Sequence, residues 1–402
     1  MENVWFLAAV WVGLALIATL LAIWCRVATA LSEIIVGTIA QLIIGIIVGR
    51  NALGSSSAWV TFLAGTGAIV LTFLAGAELD PAIFRTKWKE AVVVGLAGFF
   101  APFLGVAAIA RYGLGWAPGP SWLAGVALST TSVAVVYAVM LELGFNVTEY
   151  GKAILAACFV NDLGTVLALG LIFAPFTLRT LVFVVASAAA FVILPFVTPR
   201  FFRKYGGRVS ELEAKFILLA LFGLGGLALW AESEPVLPAY VIGMVLAGSV
   251  GKDHLLIRRL RTLTFGLLTP FYFIRAGSFV SVPALMAAPL TFTVLFLAKM
   301  VTKICGVFPA VSVFRYARQE AVYYTLMMST GLTFGTISAL FGLSHGIITP
   351  DQYSYLVAAV IGSAVIPTLI ANAYFMPGHL RPAEAVEVEA GGSPIGGARQ
   401  VG

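Results

Sequence analysis

Asn161 and Asp162 sit side by side in AACFVNDLGTVLALG, residues 156–170, a run otherwise apolar enough to lie in lipid. A carboxylate at the centre of a membrane helix costs about 2.5–3.5 kcal/mol on insertion scales, so it is expected to have a task and a partner. Facing a water-filled cavity, one carboxylate holds a proton or a small cation but not both, and that competition can couple two flows. The matching cation is Lys303, in FLAKMVTKICGVF, residues 296–308. Lys299, one turn away, reads as a snorkelling side chain whose ammonium reaches a membrane face. Glu33, Glu78 and Glu142 fall near the ends of apolar segments, leaving Asp162 as the one deep acid. An Asp162–Lys303 pair that merely fixes packing is the alternative reading.

The elements around these residues follow from composition. Of 402 residues, 60% are hydrophobic and 10% charged, where a soluble domain is about a quarter charged. Breaks in hydropathy leave about thirteen apolar segments, near 4–25, 31–50, 57–77, 88–110, 120–142, 150–173, 177–199, 211–230, 236–250, 260–280, 287–312, 320–342 and 353–376. Most approach the roughly 20 residues that span a bilayer, and none alternates as a barrel strand does. The expected class is an all-α polytopic membrane protein of about thirteen helices. The first segment reads as a retained helix, since Glu2 precedes it and Arg26 follows it. Residues 378–402, rich in Gly, Ala and Glu, read as a disordered cytoplasmic tail.

Lys and Arg concentrate on one side if the N-terminus is outside and the C-terminus cytoplasmic, with Arg50, Arg111, Arg179 and Arg275 the outer exceptions. That places the chain in the cell membrane and turns its net charge of +6 towards anionic lipid rather than nucleic acid. Cys25, Cys158 and Cys305 occupy different segments without paired spacing, which argues against a disulfide framework or a Cys-based metal site, and they read as small core residues.

Two segments carry runs that weaken a helix: ALSTTSVAVV, residues 127–136, with Ser129, Thr130, Thr131 and Ser132, and MMSTGLTFGTISAL, residues 327–340, with Gly331 and Thr333. Segments two to six and nine to thirteen would form inverted repeats, each with its interrupted helix fourth. Two crossed discontinuous helices would then meet at a midplane site. Small residues also permit close helix packing, the alternative reading of these runs.

FLAGAELD (73–80), ALSTTSVAVVYAVMLELG (127–144), FVNDLGTVLALG (159–170), TKICG (302–306) and GLTFGTISALFGL (331–343), in this order, resemble the monovalent cation/proton antiporter superfamily, in particular the NapA/Kef-like membrane domain. The resemblance covers residues 1–377. It implies a homodimer with scaffold helices at about 1–85 and 200–282 and a core at about 86–199 and 283–377, the core moving vertically in an elevator-type cycle. It implies exchange of Na⁺, or Li⁺ or K⁺, for H⁺, with Asp162 as the ion- and proton-binding residue and Asn161 beside it. Ser129, Thr130 and Thr131 fall on the first broken helix, Gly331 and Thr333 on the second, and Lys303 on the charge-balancing position. The chain departs from the family in two places. Asn161 stands where electrogenic members carry a second acid, although Lys303 stands where electroneutral members usually carry arginine. Cys158 stands where some members place a serine against the cation, and Glu78 is a further candidate contact. No cofactor is expected.

An intramembrane aspartyl protease would need a second deep acid, and a serine hydrolase a histidine in the membrane, whereas His254, His345 and His379 fall in loops or the tail. A non-enzymatic role is therefore expected. The rival reading is a sodium-coupled symporter of organic anions on a related fold, with a channel as the third option.

Overall fold

A computed structural model describes residues 4–25, 29–47, 53–77, 81–145, 148–173, 177–207, 210–231, 233, 235–250 and 253–380. Among the described residues every regular element is helical: α1 (Val4–Cys25), α2 (Thr29–Ile47), α3 (Ala58–Ala77), α4 (Pro81–Ala108), α5 (Pro118–Ser129), α6 (Val133–Glu142), α7 (Glu149–Phe173), α8 (Leu178–Tyr205) and α9 (Leu212–Trp230), followed by α10 (Val236–Leu246), α11 (His254–Leu263), α12 (Thr269–Ser278), α13 (Val282–Ala287), α14 (Pro289–Ser312), α15 (Arg318–Met328), α16 (Thr333–Ser344) and α17 (Pro350–Ile370). Local chemistry marks the starts. Thr349 and Gln352 form a reciprocal capping box ahead of Pro350, and Asp253 accepts the Leu256 amide at 3.0 Å.

Ten of the described helical stretches are long and apolar enough to cross a membrane. The expected thirteen are therefore not all continuous spans. The segment at 120–142 is divided into α5 and α6, 236–250 holds only the 11-residue α10, and 260–280 is α11 and α12 joined through a π turn at Thr264–Leu268. Hydropathy averages over such breaks, whereas backbone geometry does not.

The helices pack in two groups. In the first, α2 lies on α12, α3 on α10, and α8 on α9 and α10. In the second, α4 lies on α7, α14 and α5, and α14 on α15 and α17. Each pairing has a counterpart: α2 on α12 mirrors α10 on α3, and α4 on α7 mirrors α14 on α17. These are the inverted repeats.

Glycine permits the closest of these approaches. Gly76 of α3 faces the Tyr240 carbonyl of α10 while Gly243 of α10 faces the Phe73 carbonyl of α3, and Gly37 and Gly277 make the same exchange between α2 and α12. A methyl at Gly243 would meet the Phe73 carbonyl oxygen. Gly243→Ala is thus expected to cost about 1–3 kcal/mol by overpacking, read as a lower melting midpoint in detergent.

Two of the cysteines differ from expectation: Cys25 and Cys305 are exposed, and only Cys158 is buried. Cys305 lies two residues beyond Lys303, off the inward face of α14, so composition alone misplaced it. Residues 381–402 and Glu78 lie outside the described residues.

Candidate functional site

The hydroxyl-rich runs interrupt their helices where expected. α5 stops at Ser129 and α6 starts at Val133, with Thr130 in extended backbone (φ −64°, ψ 151°); α15 stops at Met328 and α16 starts at Thr333. Backbone freed in a membrane must find partners inside the protein. Here the two breaks serve each other: the Ser132 amide donates to the Thr330 carbonyl at 3.1 Å, and the Thr131 hydroxyl donates to the Met328 carbonyl at 2.7 Å. Two helix C-termini and two helix N-termini meet at one crossing, placing partial charges of both signs around it.

Ser129, Thr130, Thr131, Ser132, Ser329 and Thr330 are fully buried. Most of their hydroxyl protons are spent locally: Ser129 donates to the Val126 carbonyl at 2.8 Å, Thr130 to Ala127 at 3.1 Å and Thr330 to Met327 at 2.8 Å. Their oxygens therefore remain available as acceptors. Thr333 is buried at the head of α16.

Asp162 and Asn161 lie mid-way along α7, beside this crossing, and are buried. The Thr131 backbone amide faces the Asp162 carboxylate, and Lys303 and Lys299 are the cations that act on it. Lys303 Nζ donates to Thr131 Oγ1 at 2.9 Å. Asn161 Nδ2 reaches the Gly95 carbonyl at 3.5 Å. Asp162 Oδ1 and Asn161 Oδ1 are buried with no hydrogen-bond partner. Both oxygens keep lone pairs free to accept a proton or a cation, the partner a buried oxygen ordinarily has.

The structure thus brings Asp162, Asn161, Thr131, Lys303 and Cys158 together, with Ser129, Thr130 and Gly331 on the other side of the crossing. Cys158 turns its sulfur to Met328 Sδ at 3.5 Å, an apolar neighbour rather than an oxygen cluster. Among the described residues no group of three His, Cys, Asp or Glu side chains is present, so the donor set is one carboxylate with neutral oxygens. That chemistry suits a hard monovalent ion better than a transition metal.

Three residues went unrecognised in the sequence. Lys299 is not a snorkelling side chain: it is fully buried and its Nζ donates to the Thr130 carbonyl at 3.4 Å. Residues four apart share a helix face, so an inward Lys303 already implied an inward Lys299. Glu33 is also buried, near the start of α2, so Asp162 is not the sole buried acid. Tyr240 reaches from α10 to the site: its hydroxyl donates to the Phe159 carbonyl at 3.2 Å, with its ring stacked on Phe159 at 5.0 Å and edge-on to Phe334. No sequence signal marked it, because an aromatic in an apolar segment reads as packing. Tyr240→Phe keeps the rings and removes the bond, and is expected to cost about 0.6 to 1.7 kcal/mol, measured as a small fall in melting midpoint.

Crossed broken helices are an arrangement that secondary transporters use, and the family of the chain is one of secondary transporters, not enzymes. Residues 14–376 match the family described as "Sodium/hydrogen exchanger, transmembrane", and the chain belongs to it. It is 26% identical over 371 residues to "Cation/H(+) antiporter 18" of Arabidopsis thaliana, covering 84% of this chain and 46% of that protein. The chain thus spans about half the length of this plant relative. It is 24% identical over 355 residues to "Probable Na(+)/H(+) antiporter 3" of Methanocaldococcus jannaschii, covering 83% and 89% of the two chains. The fold matches that of the sodium proton antiporter MjNhaP1 from the same archaeon with a TM-score of 0.67 at 16% identity, over 98% of this chain and 100% of the other.

Proposed function

We propose that the chain is a secondary active antiporter that exchanges a monovalent cation, Na⁺ foremost and Li⁺ or K⁺ as alternatives, for H⁺. The observation that carries this reading is the pair of orphaned acceptors, Asp162 Oδ1 and Asn161 Oδ1, at a crossing of two interrupted helices. Either a proton or a cation satisfies the carboxylate, and neither can stay when the other arrives. Asp162 is the residue exchanged upon, Asn161 and Thr131 complete the cation's shell, Ser129 and Thr130 line the opposite side of the crossing, and Lys303 holds the crossing when Asp162 is ionised. Gly331 lets the two breaks approach closely, and Thr333 heads the second half-helix. Cys158 packs beside the site and is not a cation ligand.

Alternating access follows if the second helix group moves as a core against the first as scaffold. In this division α8 goes with the scaffold, on whose helices α9 and α10 it packs. Two copies form a homodimer through scaffold helices, in the cell membrane, with the N-terminus outside and the C-terminus cytoplasmic. The test uses wild-type protein in vesicles with an acidic lumen and an internal pH dye. Adding Na⁺, Li⁺ or K⁺ outside is expected to alkalinise the lumen, the most effective ion naming the substrate. Failure of all three across a wide pH range overturns the reading and favours the organic-anion symporter.

A further inference from the structure

The crossing has a second half, related to the first by the inverted repeat. Asp162 and Ser363 stand the same distance from the starts of their helices, Glu149 and Pro350. Asp162 faces the first break at Thr131; Ser363 faces the second, its hydroxyl 3.4 Å from the Gly331 carbonyl. A side chain at Gly331 would point into a small polar cluster, with Thr130 Oγ1 at 3.1 Å and Ser363 Oγ at 3.2 Å from the position of its Cβ, and Lys299 Nζ against it. Thr130 spends its hydroxyl proton on the Ala127 carbonyl and Ser363 donates to the Val360 carbonyl at 2.8 Å, so both oxygens keep lone pairs free beside this spot. The Thr130 carbonyl, at the negative end of α5, adds a third acceptor and receives Lys299 Nζ at 3.4 Å. Acceptors without protons, gathered at a helix C-terminus in a dry interior, make a cation site.

We propose that this mirror-related cluster is a second cation site whose occupant is built in: the Lys299 ammonium, tethered by its own chain, stands where a second ion from solution would bind. The inference rests on the antiporter reading for its consequence in transport, namely that the lysine's charge travels with the core in both directions and is never exchanged, holding the cycle to one cation from solution.

The experiment measures binding rather than transport, by thermal unfolding of detergent-purified protein in NaCl, KCl or LiCl against choline chloride at equal ionic strength. Wild type is expected to gain a saturable upward shift, and Asp162→Asn to lose it; a shift surviving in Asp162→Asn counts against the Asp162 reading alone. The double variant Asp162→Asn/Lys299→Ala is expected to regain a saturable shift at the vacated cluster, and Asp162→Asn/Lys299→Arg, which keeps a tethered cation, to show none. Ethylammonium, a detached lysine end, is expected to stabilise Lys299→Ala and not wild type. The proposal is overturned if the double alanine variant responds to none of the three cations, or if the arginine variant responds equally. Should Lys299→Ala give no monodisperse protein in choline, preparation in NaCl, KCl or ethylammonium is expected to recover it, and failure in all three also overturns the proposal.

Discussion

Vesicles carrying Asp162→Asn are expected to show no more cation-driven alkalinisation than protein-free vesicles, with Na⁺, Li⁺ or K⁺ and at any pH. The amide keeps the shape of the carboxylate but can neither take up a proton nor neutralise a cation, so both arms of the exchange are lost together. The change also leaves the buried Lys303 and Lys299 ammonium groups without their carboxylate, so some loss of stability is expected alongside the loss of transport. A monodisperse protein with a lowered melting midpoint and no transport is the expected pair of results. Retention of even a fraction of cation-coupled proton movement would move the exchange away from this residue.

The second large effect is on stability. Lys303 is fully buried, holds Thr131 Oγ1 at 2.9 Å and is the stronger of the two cations acting on Asp162. Truncation in Lys303→Ala leaves the Asp162 carboxylate without the stronger of its two side-chain cations, a loss bounded above by the about 3–5 kcal/mol of breaking a buried pair. The melting midpoint should fall well below that of wild type in choline buffer. Saturating transported cation is expected to restore part of the difference, since the ion neutralises the same carboxylate, and the ion-dependent shift should exceed that of wild type. A variant that melts with wild type, with or without the ion, would show that Lys303 balances no charge at the site.

Much of this was legible in the sequence, and what was not has identifiable causes. Asp162 stands out because lipid makes a buried acid expensive, and the breaks at 130–132 and 329–332 because hydroxyl and glycine runs weaken helices in matching places. Hydropathy along the chain, however, carries no information on which way a side chain faces. Lys299 was therefore assigned to a membrane surface although its spacing from Lys303 put both on one face, and Cys305 was assigned to the core although the same periodicity turns it outward. Only ten of the described stretches are long and apolar enough to be continuous spans, because a window of residues averages over the turn after Leu246 and the π turn before Thr269. Tyr240 lay beyond reach because its partners, Phe159 and Phe334, are distant in sequence and nothing local distinguishes a bridging aromatic from a packing one.

The distribution of the three thiols offers a ruler for the proposed motion. Cys25 ends α1, in the group that would stay fixed, and Cys305 lies on α14, in the group that would move; both lie on the surface of the chain, whereas Cys158 is buried. A nitroxide on each exposed sulfur would make the unaltered chain its own distance gauge, one marker per body. Vertical travel of one body past the other would then register as two populations of spin–spin separation whose balance shifts with the ion supplied.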